Sequence, residues 1–523
     1  MFLEKTSEHK CRPILTFLLM LSLLALSCEN LDHREIPTFN SENPNVLFIV
    51  ADDLNCDLGP YGNNVVHTPN LDKLAARATV FENAHSQYPH CGPSRASFMT
   101  GLYTDQTKMT QNNIFLRNTL PDVITLGQRF RQQGYTSVRI GKIFHYDNPS
   151  AIGSSGHDDI YSWDQTINPR GRDKTEEYKI NTLSPRKYGG TLSWLSADGI
   201  DEEQTDGIAA TEAIEQLQHF AQTGEPFFLA LGFFRPHTPF VAPHKHFEHY
   251  NSADLDIPES SEDYLKTIPV PAAKSLRVPK SQVDLDKDLA QEIKQAYYAT
   301  VTMVDAQIGR VLDMLEKSGL DQNTVVVFIS DHGYHLGEHG HWQKQTLFDN
   351  STRVPLILAT PGEQPAVSRT NAPVELIDVY PTIMDYTGIT PPTHLVGSSL
   401  KPLIDGDIEE VRSGALTRWR QGYSLKTDRY RITKWGPDGE LGYEFYDHDY
   451  DIGELTNLVA DSGYHGLLDS LKIVLDLRIA DAQRIPEGVG QQIENAERLP
   501  KAQNITLGDL YDEEGELTFT RAK

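Results

Sequence analysis

The chain reads as an α/β protein with a large sheet covered by helices on both faces, followed by a smaller C-terminal antiparallel sheet. Two observations lead there. Short, uninterrupted apolar runs recur up to Ala359 with loops or helix-period segments between them. Beyond about Leu400 the character changes to brief aromatic-rich segments. Apolar runs without polar alternation are the mark of strands buried on both faces. They are Val46–Val50, Thr136–Ile140, Phe227–Gly232, Val325–Ile329 and Pro355–Ala359. The clearest helix carries apolar residues at Tyr297, Val301, Val304, Ile308, Val311, Leu312 and Leu315, a helical period. Gly319 is its expected stop.

Two stretches interrupt the alternation. Residues 149–207 are rich in Gly, Ser, Asp and Asn and read as an insertion bordering a pocket. Residues 250–288 are polar and contain Pro258, Pro269, Pro271 and Pro279. A long loop of this kind is either functional or a surface excursion. Tyr423–Trp435 and Leu441–Tyr446 read as short antiparallel strands joined through Gly436-Pro437-Asp438-Gly439. A last helix is expected over about His465–Ala482, ahead of a polar tail. The expected division is 1–27, 40–400 and 401–523.

The N-terminus bears on location. Lys5, Lys10 and Arg12 precede an apolar run from Ile14 to Leu26, too short for a spanning helix and suited to a signal peptide. Its end, Leu24-Ala25-Leu26-Ser27-Cys28, resembles a bacterial lipobox. Cys28 then becomes the lipid-modified first residue of the mature chain; ordinary cleavage nearby is the alternative. The chain is thus expected to be exported, to the periplasm or to the surface as a lipoprotein, with the membrane touched only through Cys28. Acidic residues outnumber basic ones 73 to 47, a net charge of −26. That balance argues against a nucleic-acid partner, and an anionic substrate would have to be held by local cations.

Four cysteines leave only Cys56 and Cys91 in the body of the chain, which excludes a disulfide framework but leaves one bridge open. Asp52 and Asp53 follow the first apolar run; Asp331 and His332 follow another. Paired carboxylates at the ends of α/β strands suit Ca²⁺ or Mg²⁺ better than softer metals. Read alone, Asp-Asp after a strand is more often a cap or a solvated turn.

Cys91-Gly92-Pro93-Ser94-Arg95 changes that reading. Cys-x-Pro-Ser-Arg resembles the signature of the type I sulfatases, in which the cysteine is oxidised to Cα-formylglycine. Three further segments are similar to the iduronate 2-sulfatase-like branch: Gly141-Lys142-Ile143-Phe144-His145, Phe234 to Phe240, and Leu336 to Lys344. The resemblance runs from about Asn45 to Ile389 and returns weakly in the aromatic C-terminal segment. It implies an alkaline-phosphatase-like large mixed sheet and one Ca²⁺ held by Asp52, Asp53, the formylglycine from Cys91, Asp331 and His332. Many members carry Asn at the last position; His332 matches the iduronate branch. It also implies catalytic roles for Cys91, Arg95, Lys142, His145, His237 and Lys344.

In that scheme the cations neutralise the sulfate ester. One hydroxyl of hydrated formylglycine attacks sulfur, His237 protonates the leaving alcohol, and His145 assists release through the second hydroxyl. The partners implied are a sulfated glycan, with ulvan and glycosaminoglycans as leading candidates, and a formylglycine-generating maturation enzyme. Two rivals are a phosphonate or phosphodiester hydrolase of the same superfamily and a glycan-binding surface lipoprotein with a dead site. The intact set Asp52, Asp53, Cys91, Arg95, Lys142 and His237 argues against the second.

Overall fold

The apolar runs are the central strands of one large sheet. A computed structural model describes residues 43–499 except 186, 260, 261 and 363. The expected signal peptide, Cys28 and the tail beyond residue 499 lie outside the described residues. The sheet strands, in chain order, are β1 (Asn45–Asp52), β2 (Thr79–His85), β3 (Thr136–Gly141), β4 (Gln165–Ile167), β5 (Phe227–Pro236), β6 (Thr324–Ser330), β7 (Arg353–Ala359), β8 (Arg369–Thr370) and β9 (Val374–Glu375). Their spatial order is β8-β2-β7-β6-β1-β5-β3-β4, with β9 also on β2. The run from β6 through β1, β5 and β3 to β4 is parallel. β7 is antiparallel to both its neighbours, so the sheet is mixed. β2 was not anticipated, because Glu82 and Asn83 break its apolar run.

Alternate residues of each strand face opposite sides. Val46, Phe48 and Val50 join Val325, Val327, Ile329 and Leu356 on one face. They pack there on α1 (Cys91–Thr100), α2 (Leu126–Gln132) and the later helix Val379–Thr387. Leu47 and Ile49 are equally buried on the other face. Here α3 (Thr205–Thr223) and α4 (Lys287–Lys317) pack on β5 and on each other. α4 contains the expected stripe, and Gly319 beyond it has φ 72°, a left-handed conformation that favours glycine. Among the described residues no helix is long and apolar enough to cross a membrane.

The C-terminal strands are β10 (Ala415–Trp419), β11 (Gly422–Lys426), β12 (Tyr430–Trp435) and β13 (Gly442–Asp447), an antiparallel sheet in sequence order. The single segment expected over Tyr423–Trp435 is in fact two strands. The Thr427 backbone N–H donates to Tyr430 O at 2.8 Å, and the Thr427 hydroxyl accepts from Tyr430 N at 2.7 Å, turning the chain between them. Leu468, Leu471 and Leu475 of the last helix, His465–Gln483, cover Leu425, Ile432 and Phe445. The 250–288 stretch is more than a surface excursion. Its Tyr264, Ile268, Ala272 and Leu276 pack with Phe348, Trp435 and Tyr446.

Candidate active site

The expected site residues come together at the C-terminal ends of the parallel strands. β1 ends at Asp52, directly before Asp53, β6 leads into Asp331 and His332, and β5 leads into His237. β3 ends at Gly141, directly before Lys142. Gly141 has φ 69°, and a Cβ there would lie 2.0 Å from Gly232 O. Only glycine lets β3 turn this closely beside β5. Cys91 is the first residue of α1 and is fully buried. Cys56 and Cys91 are both free thiols, which settles the question of a bridge.

The three carboxylates have no cation near them in sequence, yet each is neutralised from a distant segment. Arg95 donates from Nε to Asp331 Oδ2 (2.9 Å) and from Nη2 to Asp52 Oδ1 (3.2 Å). Its Nη1 donates to the carbonyl oxygens of Lys142 (2.6 Å) and Ile143 (3.0 Å). Lys142 Nζ binds Asp52 Oδ2 at 2.5 Å, and Lys344 Nζ binds Asp53 Oδ1 at 2.5 Å. Burial pushes the Asp52 carboxyl up, but Lys142, His237, Arg95 and Lys344 together hold it well below the ordinary range. For Asp53, burial and the neighbouring Asp52 and Asp331 prevail over Lys344 and His332, and its affinity for a proton rises.

Asp53 Oδ2 is buried and accepts no hydrogen bond. Carboxylate oxygens of Asp52, Asp53 and Asp331 lie within 4.8 Å of one another, and Cys91, Asp331 and His332 form an overlapping group. His332 Nδ1 donates to Gly333 O (2.9 Å), so the Nε2 lone pair faces inward, 3.3 Å from Cys91 Sγ and 3.4 Å from Asp53 Oδ1. A buried carboxylate oxygen without a donor, amid further hard ligands, fits a divalent cation such as Ca²⁺.

Around this floor stand Lys344 and the remaining histidines. Lys344 Nζ is 3.5 Å from Cys91 Sγ. Burial raises the Cys91 thiol well above its ordinary value, more than Lys344 and Lys142 lower it. Without a bound cation, burial thus favours the thiol form of an unmodified Cys91. His237 Nδ1 donates to Thr238 O (2.5 Å), leaving Nε2 3.8 Å from Asp53 Oδ2. His145 Nε2 bonds Asp147 (3.2 Å), while its buried Nδ1 has no partner. Burial lowers His145 to about 4, and the bond to His145 lowers Asp147 to about 2.

His145, His237 and Lys344 line a cleft of about 1080 Å³. Pro149, Ser150 and residues 187–191 form part of its wall, so the first insertion does border the pocket. Several contributors were not singled out from sequence. Ser94 Oγ donates to Asp331 O, and Tyr297 Oη donates to Asp53 O at 2.8 Å. Ser94 was visible within the pentapeptide, whereas Tyr297 was read only as part of a helix stripe. Tyr88, Arg418, Trp419 and Arg420 also line the cleft. The last three come from β10 and its turn, and no motif marks them.

Residues 44–389 match the family described as sulfatase, and residues 337–480 match the C-terminal region of N-sulphoglucosamine sulphohydrolase. The chain belongs to the sulfatase family. It is 32% identical over 472 residues to a sulfatase of Formosa agariphila, covering 88% of this chain and 91% of the relative. It is 31% identical to human iduronate 2-sulfatase over 474 residues, covering 75% of this chain and 84% of that protein. Among solved structures, the phosphonate monoester hydrolase of Agrobacterium radiobacter has a TM-score of 0.71 at 23% identity, over 84% of this chain and 96% of that one. That likeness concerns the fold alone. This sulfatase is a sulfuric ester hydrolase.

Proposed function

We propose that this sulfatase releases sulfate from a sulfated glycan or its fragments, with residue 91 acting as formylglycine and one Ca²⁺ bound at its side. The observation that carries the reading is the setting of Cys91. Its sulfur lies 3.3 Å from His332 Nε2, 3.5 Å from Lys344 Nζ and 3.8 Å from Asp53 Oδ1. A thiol there has no second hydroxyl through which to expel sulfate, whereas the hydrated aldehyde made from it offers one hydroxyl for attack and a second for release. Ca²⁺ held by Asp52, Asp53, residue 91, Asp331 and His332 would supply positive charge to the ester oxygens.

The protein's own groups do the rest. Arg95, fixed by two carboxylates and two carbonyls, holds the residue-91 helix against the strand ends. Lys142 and Lys344 present charge to a sulfate entering between them. His237 Nε2 is the nitrogen that faces the site; because Nδ1 donates to Thr238 O, His237 acts in its doubly protonated form, which the charge of the bound ester favours, and the Nε2 proton passes to the departing alkoxide. His145, kept neutral near pH 7 by burial and oriented by Asp147, takes the proton that lets sulfate leave. The lipobox-like leader supports an exported bacterial enzyme and the Cys91–Arg95 run a formylglycine-generating partner; the likeness to a protein named iduronate 2-sulfatase supports glycosaminoglycan-like material, with ulvan-like material as the other candidate.

Purified, matured protein should release inorganic sulfate from a generic aryl sulfate and from at least one defined sulfated oligosaccharide. Release of the alcohol and phosphonate from a phosphonate monoester with no sulfate release would favour the phosphonate hydrolase instead, and inertness toward both would favour the binding protein.

A further inference from the structure

The cleft carries more positive charge than the chemistry above uses. Lys187, Lys344, Arg418 and Arg420 line it, against one carboxylate, Asp147. This contrasts with a chain of net charge −26. Two of the four cations are committed. Lys344 is paired with Asp53, and Arg418 with Asp105 at 2.7 Å. Arg420 and Lys187 are exposed and have no carboxylate partner among the described residues.

Arg420 is also held in place. It is the first of two residues joining β10 to β11, since Trp419 pairs with Gly422 across the turn. Its φ is 51°, in the region where such a turn favours glycine. Its guanidinium carbon stands 5.3 Å from the centre of the Trp419 ring, and Trp419 is edge-on to Tyr88 (5.1 Å) and to His90 (6.1 Å), the residue before Cys91. Trp419 thus links the reacting floor to the charge at the rim. A non-glycine residue kept in a left-handed turn, with a stacked guanidinium that has no carboxylate partner among the described residues, suits a ligand better than it suits the fold.

We propose that Arg420, assisted by Lys187 of the same cleft, binds a second oxyanion of the substrate, a carboxylate or a further sulfate displaced from the sulfate being cleaved. Resting on the sulfatase reading above, this makes the preferred substrate a polyanionic glycan rather than a lone sulfate ester. Arginine offers two parallel donors to either oxyanion. The acidic chain repels such a substrate at long range, and the cleft supplies the local compensation.

The test compares kcat/KM on a monosulfated neutral sugar, a monosulfated uronate and a disulfated neutral sugar, each relative to an aryl sulfate. The wild-type enzyme should favour one or both of the doubly anionic sugars, and added salt should weaken that preference. Arg420→Gln should cut the preference at least tenfold, mainly through KM, and Arg420→Lys should restore part of it. Arg420→Gly should lose the same preference without melting lower, because glycine suits the turn; this separates charge from folding. Lys187→Gln should move the preference in the same direction by less. The uronate and disulfate arms identify which oxyanion is read. Calorimetric binding of the same sugars to Cys91→Ala protein reads the rim without turnover, so failure of the sulfatase reading stays distinguishable. An Arg420→Gln enzyme with the wild-type preference for both doubly anionic sugars would overturn the proposal.

Discussion

Arg95, Lys142 and Lys344 at the floor of the cleft are ion-paired and almost inaccessible, the most exposed of them at 7%. Lys187 and Arg420 at the rim are exposed and without carboxylate partners among the described residues. The floor is assembled from strand ends and one buried helix; the rim comes from an insertion and a hairpin turn. A cation locked between carboxylates cannot move to suit a ligand, which makes it suitable for fixed transition-state charge. An exposed cation contributes little to the fold and can be exchanged as the substrate changes. If the rim reads the substrate as proposed, reaction type and substrate preference reside in different parts of the chain, and substitutions in the two should have different consequences.

The sharpest contrast is between two arginines. Arg95→Met should destabilise the protein by about 3–5 kcal/mol, because it strands two buried carboxylates, and should abolish sulfate release. Arg420→Gln should alter preference with little change in melting. Comparable losses of stability in both variants, measured by denaturant unfolding, would erase the distinction between floor and rim.

Metal should affect the floor alone. Chelation should remove activity, Ca²⁺ should restore it, and Ca²⁺ at about a hundred times its Kd should add about 2.7 kcal/mol of stability. Asp53→Asn should lose that increment, whereas Arg420→Gln should keep it. Equal melting with and without Ca²⁺ in protein shown to be metal-free would count against the ligand set.

The histidines sharpen the picture further. His237→Ala should slow sugar sulfates about a hundredfold and aryl sulfates less, since activated leaving groups need less proton assistance. Equal losses on both, with chemistry shown to be rate-limiting, would remove His237 from the acid role.

The smallest effect is a pH shift at His145. Burial depresses this histidine from 6.5 to about 4. Its neutral form is therefore the folded form, and the stability it contributes is present above pH 6.5 and lost as pH falls toward 4. The acid limb of kcat should lie near that lower value. The bond to Asp147 partly offsets the depression, so Asp147→Asn should move the limb to still lower pH. A limb that stays in place would detach Asp147 from this function.

Much of the floor was legible in the sequence because each element announces itself locally. Apolar runs marked β1, β3, β5, β6 and β7, and the residues soon after the first four carry the three carboxylates, Lys142, His145, His237 and His332, whereas Lys344 belongs to the segment between β6 and β7. β2 was missed because Glu82 and Asn83 interrupt it, although its pairing with β7 and β9 buries it. The C-terminal hairpin was read as one strand because Thr427 makes its turn by side-chain and backbone bonds, without glycine or proline. The ion pairs were invisible for another reason: Arg95, Lys142 and Lys344 reach their carboxylates across 43 to 291 positions of chain. Of the rim, the insertion that carries Lys187 was legible as bordering a pocket, but Arg420 left no local trace, since it gains its meaning only from Trp419, Tyr88 and His90 beside it.

The central claim is that residue 91 acts as formylglycine, and it can be tested by preparing the protein with graded degrees of maturation. Peptide mass spectrometry gives the fraction of residue 91 converted, and sulfate release from an aryl sulfate gives the rate for each preparation. Specific activity should rise in proportion to the converted fraction and extrapolate to zero for the pure thiol, with Cys91→Ala at that same floor, at least about a thousandfold down. Full activity in a preparation containing only the unmodified thiol would contradict the account.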